Sequence, residues 1–236
     1  MKKILYPALQ RGFQNHGWLK AAHSFSFANY YDPKKMHFGL LRVLNDDIVA
    51  PGRGFGAHGH DNMEIVTIPL KGSLAHKDSL GSEGVIRPGE IQIMSAGSGI
   101  QHSEFNASAT EEVNLLQIWV FPKERNIKPR YDQKKFDEKS FQNTFFTVVS
   151  PVKDTEAMWI NQDAYFSLGN FAEDSLQNYT LKNPGNGAFV FIIEGNALID
   201  GERLSKRDAA GIYDTESFEI NAERGAKILI IEIPMD

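Results

Sequence analysis

Short apolar runs separated by turn residues recur along the whole chain. They are rich in Ile, Val, Leu and Phe, and Gly, Pro, Asn and Asp punctuate the sequence between them. The runs are EIVTIPL (64–70), EIQIM (90–94), VNLLQIWVF (113–121), TFFTVVS (144–150), AFVFIIEG (188–195) and AKILIIEIP (226–234). No segment keeps a helical apolar period over a dozen residues; WLKAAHSFSF (18–27) comes nearest. The pattern predicts an all-β protein.

One succession of strands and turns occurs in both halves of the chain. EIVTIPLKGSLAHKD (64–78) is a strand, a Lys-Gly turn and a second strand, and FVFIIEGNALIDGE (189–202) repeats it with Glu-Gly. VIRPGEIQIMSAG (85–97) corresponds in the same way to LSKRDAAGIYD (204–214). Segments of each pair lie roughly 120 residues apart, which predicts two copies of one β module. The charged stretch 122–140 between them is predicted to be a solvated linker.

Composition narrows the classes of function. The 236 residues carry a net charge of −5, and the basic residues are scattered, which argues against a nucleic-acid surface. The absence of cysteine excludes disulfides, thiolate catalysis and cysteine-based zinc sites. No apolar segment is long enough to cross a membrane, and the apolar stretch near the N-terminus is too short for a signal peptide. We therefore expect a cytoplasmic location and no membrane contact.

Two pairs of polar residues have the spacing of metal ligands. In an extended strand, residues 58, 60, 62 and 64 share one face, so His58 and His60 can bind one metal ion. The Gly/Ser-rich stretch SAGSGIQHSEFN (95–106) supplies His102 and Glu104, again two residues apart. Three histidines and a carboxylate suit Fe(II), Ni, Mn, Zn or Cu. Spacing alone leaves both Glu64 and Glu104 open as the carboxylate ligand.

The second half of the chain contains no histidine. A shift of about 120 residues places different side chains at the positions that correspond to the candidate ligands. They are Leu181, Asn183, Ala222 and Arg224, which form no metal site. The second module is therefore predicted to keep the fold without the metal.

These residues resemble a known family. GRGFGAHGHDNME (52–64) fits the first cupin motif, G-x5-H-x-H-x3-E, with Gly72 closing it one residue late. GEIQIMSAGSGIQH (89–102) resembles the second motif, with Ser95 in place of the usual proline. Together with H-S-E, HGWLKAAHSFSFANYYDP (16–33) and LRVLNDD (41–47), these motifs identify the chain as similar to the pirins, and especially to bacterial pirin-like quercetin 2,3-dioxygenases.

The resemblance implies a bicupin, in which two β-sandwich or jelly-roll barrel modules pack together in one chain. Residues 1–132 would form the metal-binding module and residues 133–236 a cupin-like module without metal ligands. The implied ligands of one divalent metal are His58, His60, His102 and Glu104, with Glu64 displaced from the metal. Fe(II) is favoured, and Ni, Mn, Zn, Cu or Co would also fit.

The implied activity is a metal-dependent dioxygenase that cleaves a flavonol such as quercetin with O2 and releases carbon monoxide. Glu104 would act as the base that takes the substrate proton, with Glu64 as its substitute. The expected partners are a flavonol-like small molecule and O2, without direct nucleic-acid contact, and the chain is expected to be a monomer. The alternatives are a pirin-like regulator that acts through a protein partner, and a cupin binding or isomerase module.

The remaining histidines and aromatic residues receive structural interpretations. His76 and Asp78 are predicted to be a polar, partly exposed pair. Packing or other structural roles are predicted for His16, His23, His37, Phe25, Phe27, Tyr30 and Tyr31.

Overall fold

A computed structural model describes all residues, Met1–Asp236, and confirms the all-β prediction. The strands of the first half are β1 (Lys2–Tyr6), β2 (Gly12–Asn15), β3 (Leu19–His23), β4 (Leu41–Val49), β5 (Gly54–His60), β6 (Glu64–Lys71), β7 (Leu74–Asp78), β8 (Glu83–Ile86), β9 (Glu90–Ser95), β10 (Ile100–Asn106), β11 (Val113–Val120) and β12 (Arg130–Lys135). Those of the second half are β13 (Phe146–Ser150), β14 (Met158–Trp159), β15 (Tyr165–Asn170), β16 (Ser175–Thr180), β17 (Asn186–Glu194), β18 (Asn196–Ile199), β19 (Glu202–Ser205), β20 (Ala209–Tyr213), β21 (Ser217–Ala222) and β22 (Lys227–Pro234). The two helices are short 3-10 turns, Ala8–Gln10 and Glu138–Phe141, and neither is long and apolar enough to cross a membrane.

The strands form two modules, each with one large and one small sheet. The large sheet of the first module has the order β12-β9-β6-β11-β4-β3-β2, and its small sheet has the order β5-β10-β7-β8. In the second module the orders are β1-β20-β17-β22-β15-β13-β14 and β16-β21-β18-β19. The two sets correspond position by position, which confirms the prediction of a duplicated sandwich.

The same glycine turn leads from the large sheet to the small sheet in both modules. Gly72 connects β6 to β7 and Gly195 connects β17 to β18, each with a φ of +73°. A left-handed backbone of this kind favours glycine, which has no Cβ. The Lys-Gly and Glu-Gly turns of the repeated sequence pattern are therefore two copies of one structural feature.

The edge strands β1 and β12 join different modules, although both precede the strands of the second module in the sequence. β1 at the N-terminus pairs with β20 of the second module, and β12 pairs with β9 of the first. The prediction of a solvated linker is therefore wrong for residues 130–135, whose many charged side chains lie on a half-exposed edge strand. The predicted boundary at residue 132 falls within β12, and the division into two domains stays a prediction.

The largest apolar cluster lies between the two large sheets. Its 27 buried residues include Val66 and Ile118 from the first module and Phe189 and Ile231 from the second. Side chains alternate along each strand, so the neighbours of these residues face the interior of their own module. The interior of the second module is filled by an apolar cluster of 16 residues, whereas the first holds only clusters of 7 and 4. The first module therefore has the room and the polar side chains for a site.

Candidate metal centre

Three histidines meet in the small sheet of the first module. His58 and His60 lie two residues apart on β5, and His102 lies opposite His58 on the neighbouring strand β10. The ring centroids are 4.8 Å apart for His58 and His60, 4.4 Å for His58 and His102, and 4.9 Å for His60 and His102. One ring nitrogen from each histidine lies within 4.8 Å of the other two, a spacing that one metal ion can bridge.

Glu104 lies two residues beyond His102 on the same inward face of β10. It is 2% exposed, and it pairs in register with His76 of β7. Its ligand oxygen lies within 4.8 Å of ligand nitrogens of both His76 and His102. Gln117 Nε2 donates to Glu104 Oε2 at 2.9 Å, while Oε1 has no partner. One oxygen is thus held in place and the other is free to bind a cation or a proton.

The donor atoms of this cluster are free to bind a metal. His58 Nδ1 donates to the backbone oxygen of Gly56 at 2.8 Å, because a carbonyl can only accept, and this leaves Nε2 with a lone pair. His102 is 2% exposed, and neither of its ring nitrogens has a hydrogen-bond partner. Buried polar atoms without partners are costly in free energy. A bound cation would satisfy them, so the residues fit a metal ion.

Burial sets the protonation states of these groups. It lowers the pKa of His60 to about 4, with a further contribution from His58. Burial, followed by the neighbouring histidines, lowers the pKa of His102 to about 3. Both rings are therefore neutral at pH 7, as metal binding requires. Burial raises the pKa of Glu104 to about 7 in the metal-free protein.

Glu64 lies outside this cluster. The chain leaves the small sheet after His60, turns at Asn62 with a φ of +45°, and enters the large sheet at Glu64. Glu64 is fully buried between the modules, where Oε2 accepts hydrogen bonds from Ser95 Oγ at 2.7 Å and from Asn161 N at 3.2 Å. The prediction that residues 58 to 64 share one face is therefore wrong beyond His60, because the two strands belong to different sheets.

The position of Glu64 predicts a pH-dependent stability that is independent of metal. Burial raises its pKa to about 7, despite opposing hydrogen bonds from Ser95 and Asn161. Between pH 4.5 and about 7 the unfolded chain loses this proton before the folded chain does, so the contribution of Glu64 to stability falls as pH rises. We compare the free energies of unfolding of metal-free wild type and metal-free Glu64→Gln. Between pH 5 and 8 we expect the value for wild type to fall by roughly 1–3 kcal/mol more than the value for the variant.

Urea unfolding of wild type and Glu64→Gln over this pH range would measure the difference. Every other titrating group is common to the two proteins and largely cancels. A difference that stayed constant, or that favoured wild type at high pH, would contradict the buried, proton-holding state of Glu64.

A cavity of about 440 Å³ opens beside the cluster. His58, His60 and Glu104 form one part of its wall. Aromatic side chains, polar side chains and two glycines form the rest, namely Trp18, Phe27, Phe55, Trp119, Asn45, Asp47, Gln117, Gly54 and Gly56. This volume and this mixture of apolar and polar groups are typical of a small-molecule site.

Some interpretations of aromatic residues need correction. Phe25 packs in the core between the modules, as predicted, but Phe27 lines the cavity and touches Trp119 edge to face at 5.3 Å. Tyr31 is 73% exposed, so it does not pack in the core. Tyr30 is half-buried and stacks beside His23.

His76 and Asp78 are buried, at 1% and 7% exposure, so the prediction of a partly exposed pair is wrong. His76 Nε2 lies 3.3 Å from Asp78 Oδ2, and Tyr131 of β12 stacks on the His76 ring at 4.6 Å. His76 is thus a neighbour of Glu104 that sequence reasoning missed. The two-residue spacing of His76 and Asp78 does indicate that both side chains lie on one face of a strand. The sequence does not indicate that this strand pairs with β10, which carries Glu104.

The other histidines keep to structural roles. His23 is buried, and its Nδ1 donates to Asn45 Oδ1 at 2.8 Å, which supports the wall of the cavity. His37 Nδ1 donates to the backbone oxygen of Gly39, and exposed His16 contacts Gln14. In the second module β16 and β21 occupy the positions of β5 and β10, and neither contains a histidine.

Comparison with known proteins gives relatives along nearly the whole chain. Residues 7–120 match the family model Pirin, and residues 147–233 match the model of a quercetinase C-terminal cupin domain. The chain is 40% identical over 230 residues to a quercetin 2,3-dioxygenase of Escherichia coli K12, with 98% of both proteins covered. It is 38% identical over 227 residues to a pirin-like protein of Caulobacter vibrioides, with 96% of this chain and 97% of that protein covered. The crystal structure of the bacterial pirin YhhW of Escherichia coli in complex with nickel(II) matches with a TM-score of 0.93 at 39% identity, with 99% of each chain covered.

Proposed function

Because the chain belongs to the pirin family, we propose that it is a metal-dependent dioxygenase that cleaves a flavonol such as quercetin. The observation that carries this proposal is a pair of ligand groups that share His102: one adds His58 and His60, and the other adds His76 and Glu104. The ring nitrogens of His102 and Glu104 Oε1 have no hydrogen-bond partner, and His58, His60 and Glu104 line an aromatic cavity. The substrate class comes from the similar quercetin 2,3-dioxygenase of Escherichia coli.

One divalent metal would be held by His58, His60, His102 and Glu104. Imidazole and carboxylate ligands suit Fe(II), Ni, Mn, Zn, Cu and Co, and a nickel complex is known for a relative. We favour Fe(II), since histidines and a carboxylate with open positions are typical of non-haem iron oxygenases. When bound, the metal would polarise a chelating substrate and provide a position for O2. A monomeric state and a cytoplasmic location remain predictions.

The residues of the chain would prepare the substrate for oxygen. The apolar walls of the cavity hold a flat aromatic molecule and exclude water. They are formed by Trp18, Phe27, Phe55 and Trp119. Glu104 would be a dissociable ligand, whose Oε1 takes the proton of the 3-hydroxyl when it is not bound to the metal, while Gln117 holds the other oxygen. Both atoms of O2 would enter the ring-opened product, and one ring carbon would leave with its oxygen as carbon monoxide.

The test is oxygen consumption with quercetin by protein loaded in turn with each divalent metal. We expect consumption of O2, loss of the flavonol absorbance and trapping of carbon monoxide by reduced haem. The matched control is luteolin, which differs from quercetin only in lacking the 3-hydroxyl and should remain intact. The dioxygenase proposal would be refuted if no metal-loaded form consumed O2 or released carbon monoxide with any 3-hydroxyflavone. The pirin-like regulator that acts through a protein partner would then be the favoured function.

A further inference from the structure

We propose that Asp47 determines substrate specificity by accepting a hydrogen bond from a hydroxyl group that lies away from the reacting end of the substrate. The inference rests on the proposed function for its choice of a flavonol as the occupant of the cavity. It assigns Asp47 to recognition, and it predicts a preference for flavonols that carry further phenolic hydroxyls.

Two adjacent aspartates on β4 have opposite surroundings. Asp46 faces the second module, and its carboxylate oxygens lie 3.0 Å from Arg207 Nε, 3.4 Å from Arg11 Nη1 and 2.8 Å from Asn114 Nδ2 of the neighbouring strand β11. Asp47 faces the interior of the first module; it is 5% exposed, and its Oδ1 has no hydrogen-bond partner. A buried carboxyl group without a partner is costly in free energy. Two arginines and an amide compensate the burial of the Asp46 carboxylate. No protein group does the same for Asp47 Oδ1.

The cavity is where the missing partner of Asp47 must come from. Asp47 forms part of its wall, together with Asn45 and Gln117. The amide oxygens of those two residues are already occupied, since Asn45 Oδ1 accepts from His23 and Gln117 Oε1 accepts from Thr67 Oγ1 at 2.9 Å. Glu104 Oε1 is also free, but it is assigned to the metal and the reacting proton. With the histidine nitrogens also assigned to the metal, Asp47 presents the remaining unpartnered side-chain acceptor on this wall.

The surroundings favour a phenolic hydroxyl as the occupant. The rest of the cavity is largely aromatic, so a flat aromatic ligand can stack there and bring a substituent to the carboxyl group. A carboxyl group accepts a hydrogen bond from a hydroxyl whether or not it is protonated. A site that hydrogen-bonds a substrate hydroxyl discriminates strongly against an analogue that lacks it, because its buried polar group is then left unpaired.

The experiment compares two flavonols in metal-loaded protein. 3-Hydroxyflavone carries only the reacting hydroxyl, whereas quercetin carries further phenolic hydroxyls. Their dissociation constants can be measured by quenching of tryptophan fluorescence, because Trp18 and Trp119 line the cavity. We expect wild type to prefer quercetin, and Asp47→Leu, which keeps the side-chain shape, to reduce that preference roughly tenfold or more. Asp47→Asn keeps one acceptor oxygen and should retain a larger share. Exposed Asp132→Leu is the matched control and should retain the whole preference.

An equal loss of affinity for both flavonols in Asp47→Leu would show a structural role and overturn the assignment, as would an undiminished preference for quercetin. The binding measurement separates this proposal from the proposed reaction. An Asp47-dependent preference without oxygen consumption by wild type would support the assignment and refute the dioxygenase. Oxygen consumption with a preference that does not depend on Asp47 would do the reverse.

Discussion

Replacing His102 with alanine is expected to remove the metal, and with it all flavonol turnover, from a chain that stays folded. His102 contacts both other histidines, and its ring lies between them and Glu104. Without it the remaining ligands on β5 and β10 no longer surround one point. No protein group donates to or accepts from its ring nitrogens, so the substitution breaks no hydrogen bond of the fold. Metal analysis, oxygen consumption and thermal unfolding of the metal-free proteins would test this.

The matched control is His16→Ala, which removes an exposed histidine that contacts only Gln14. It should keep about one metal ion per chain and full turnover. A His102→Ala protein with the wild-type metal content would refute the proposed ligand set. A second stoichiometric metal in residues 133–236 would refute the prediction of a metal-free second module.

Replacing Glu104 with glutamine is expected to lower turnover by roughly 10²- to 10⁴-fold, the range for loss of a positioned general base. The amide keeps the shape of the side chain and its contact with Gln117, but it lacks the negative charge and the basic oxygen. Glu104 is the one carboxylate grouped with these histidines, so no neighbouring ligand residue can replace it as the base. The turnover number and the metal content of the same preparation should be measured together.

Glu64→Gln is the comparison variant, since Glu64 has the same chemistry and the same depth of burial at a different place. It should keep metal and turnover and show its effect only in the pH dependence of unfolding. If Glu64→Gln lost the metal and Glu104→Gln were fully active, the carboxylate would have been assigned to the wrong residue.

The sequence predicts the fold well where apolar runs are long. The runs at 64–70 and 226–234 correspond to β6 and β22, which are central strands buried on both faces. The run at 113–121 corresponds to β11, a central strand with one buried face and one partly buried face. The repeated glycine turns indicate the two modules, because a left-handed turn favours glycine and can therefore be recognised in the sequence. The edge strand β12 could not be recognised in this way, because its charged side chains have the composition of a linker.

The candidate site was predictable only within single strands. Two-residue spacing correctly grouped His58 with His60 and His102 with Glu104, since alternation is a local property. It failed for Glu64, because the turn at Asn62 carries the chain into another sheet. It also missed His76, whose place beside Glu104 depends on the pairing of β7 with β10. Pairing between distant strands is a property of the whole fold.

The pairing of β1 with β20 has a consequence for the order of folding during synthesis. β1 leaves the ribosome long before its partner β20, which follows roughly 200 residues later. At roughly 5–20 residues per second, this is a delay of roughly 10–40 s. During that time the segment, which includes Ile4 and Leu5, has no strand to pair with and is open to contacts with other nascent chains. The large sheet of the second module can therefore be completed only after β20 has been synthesised, when a strand made much earlier closes its edge.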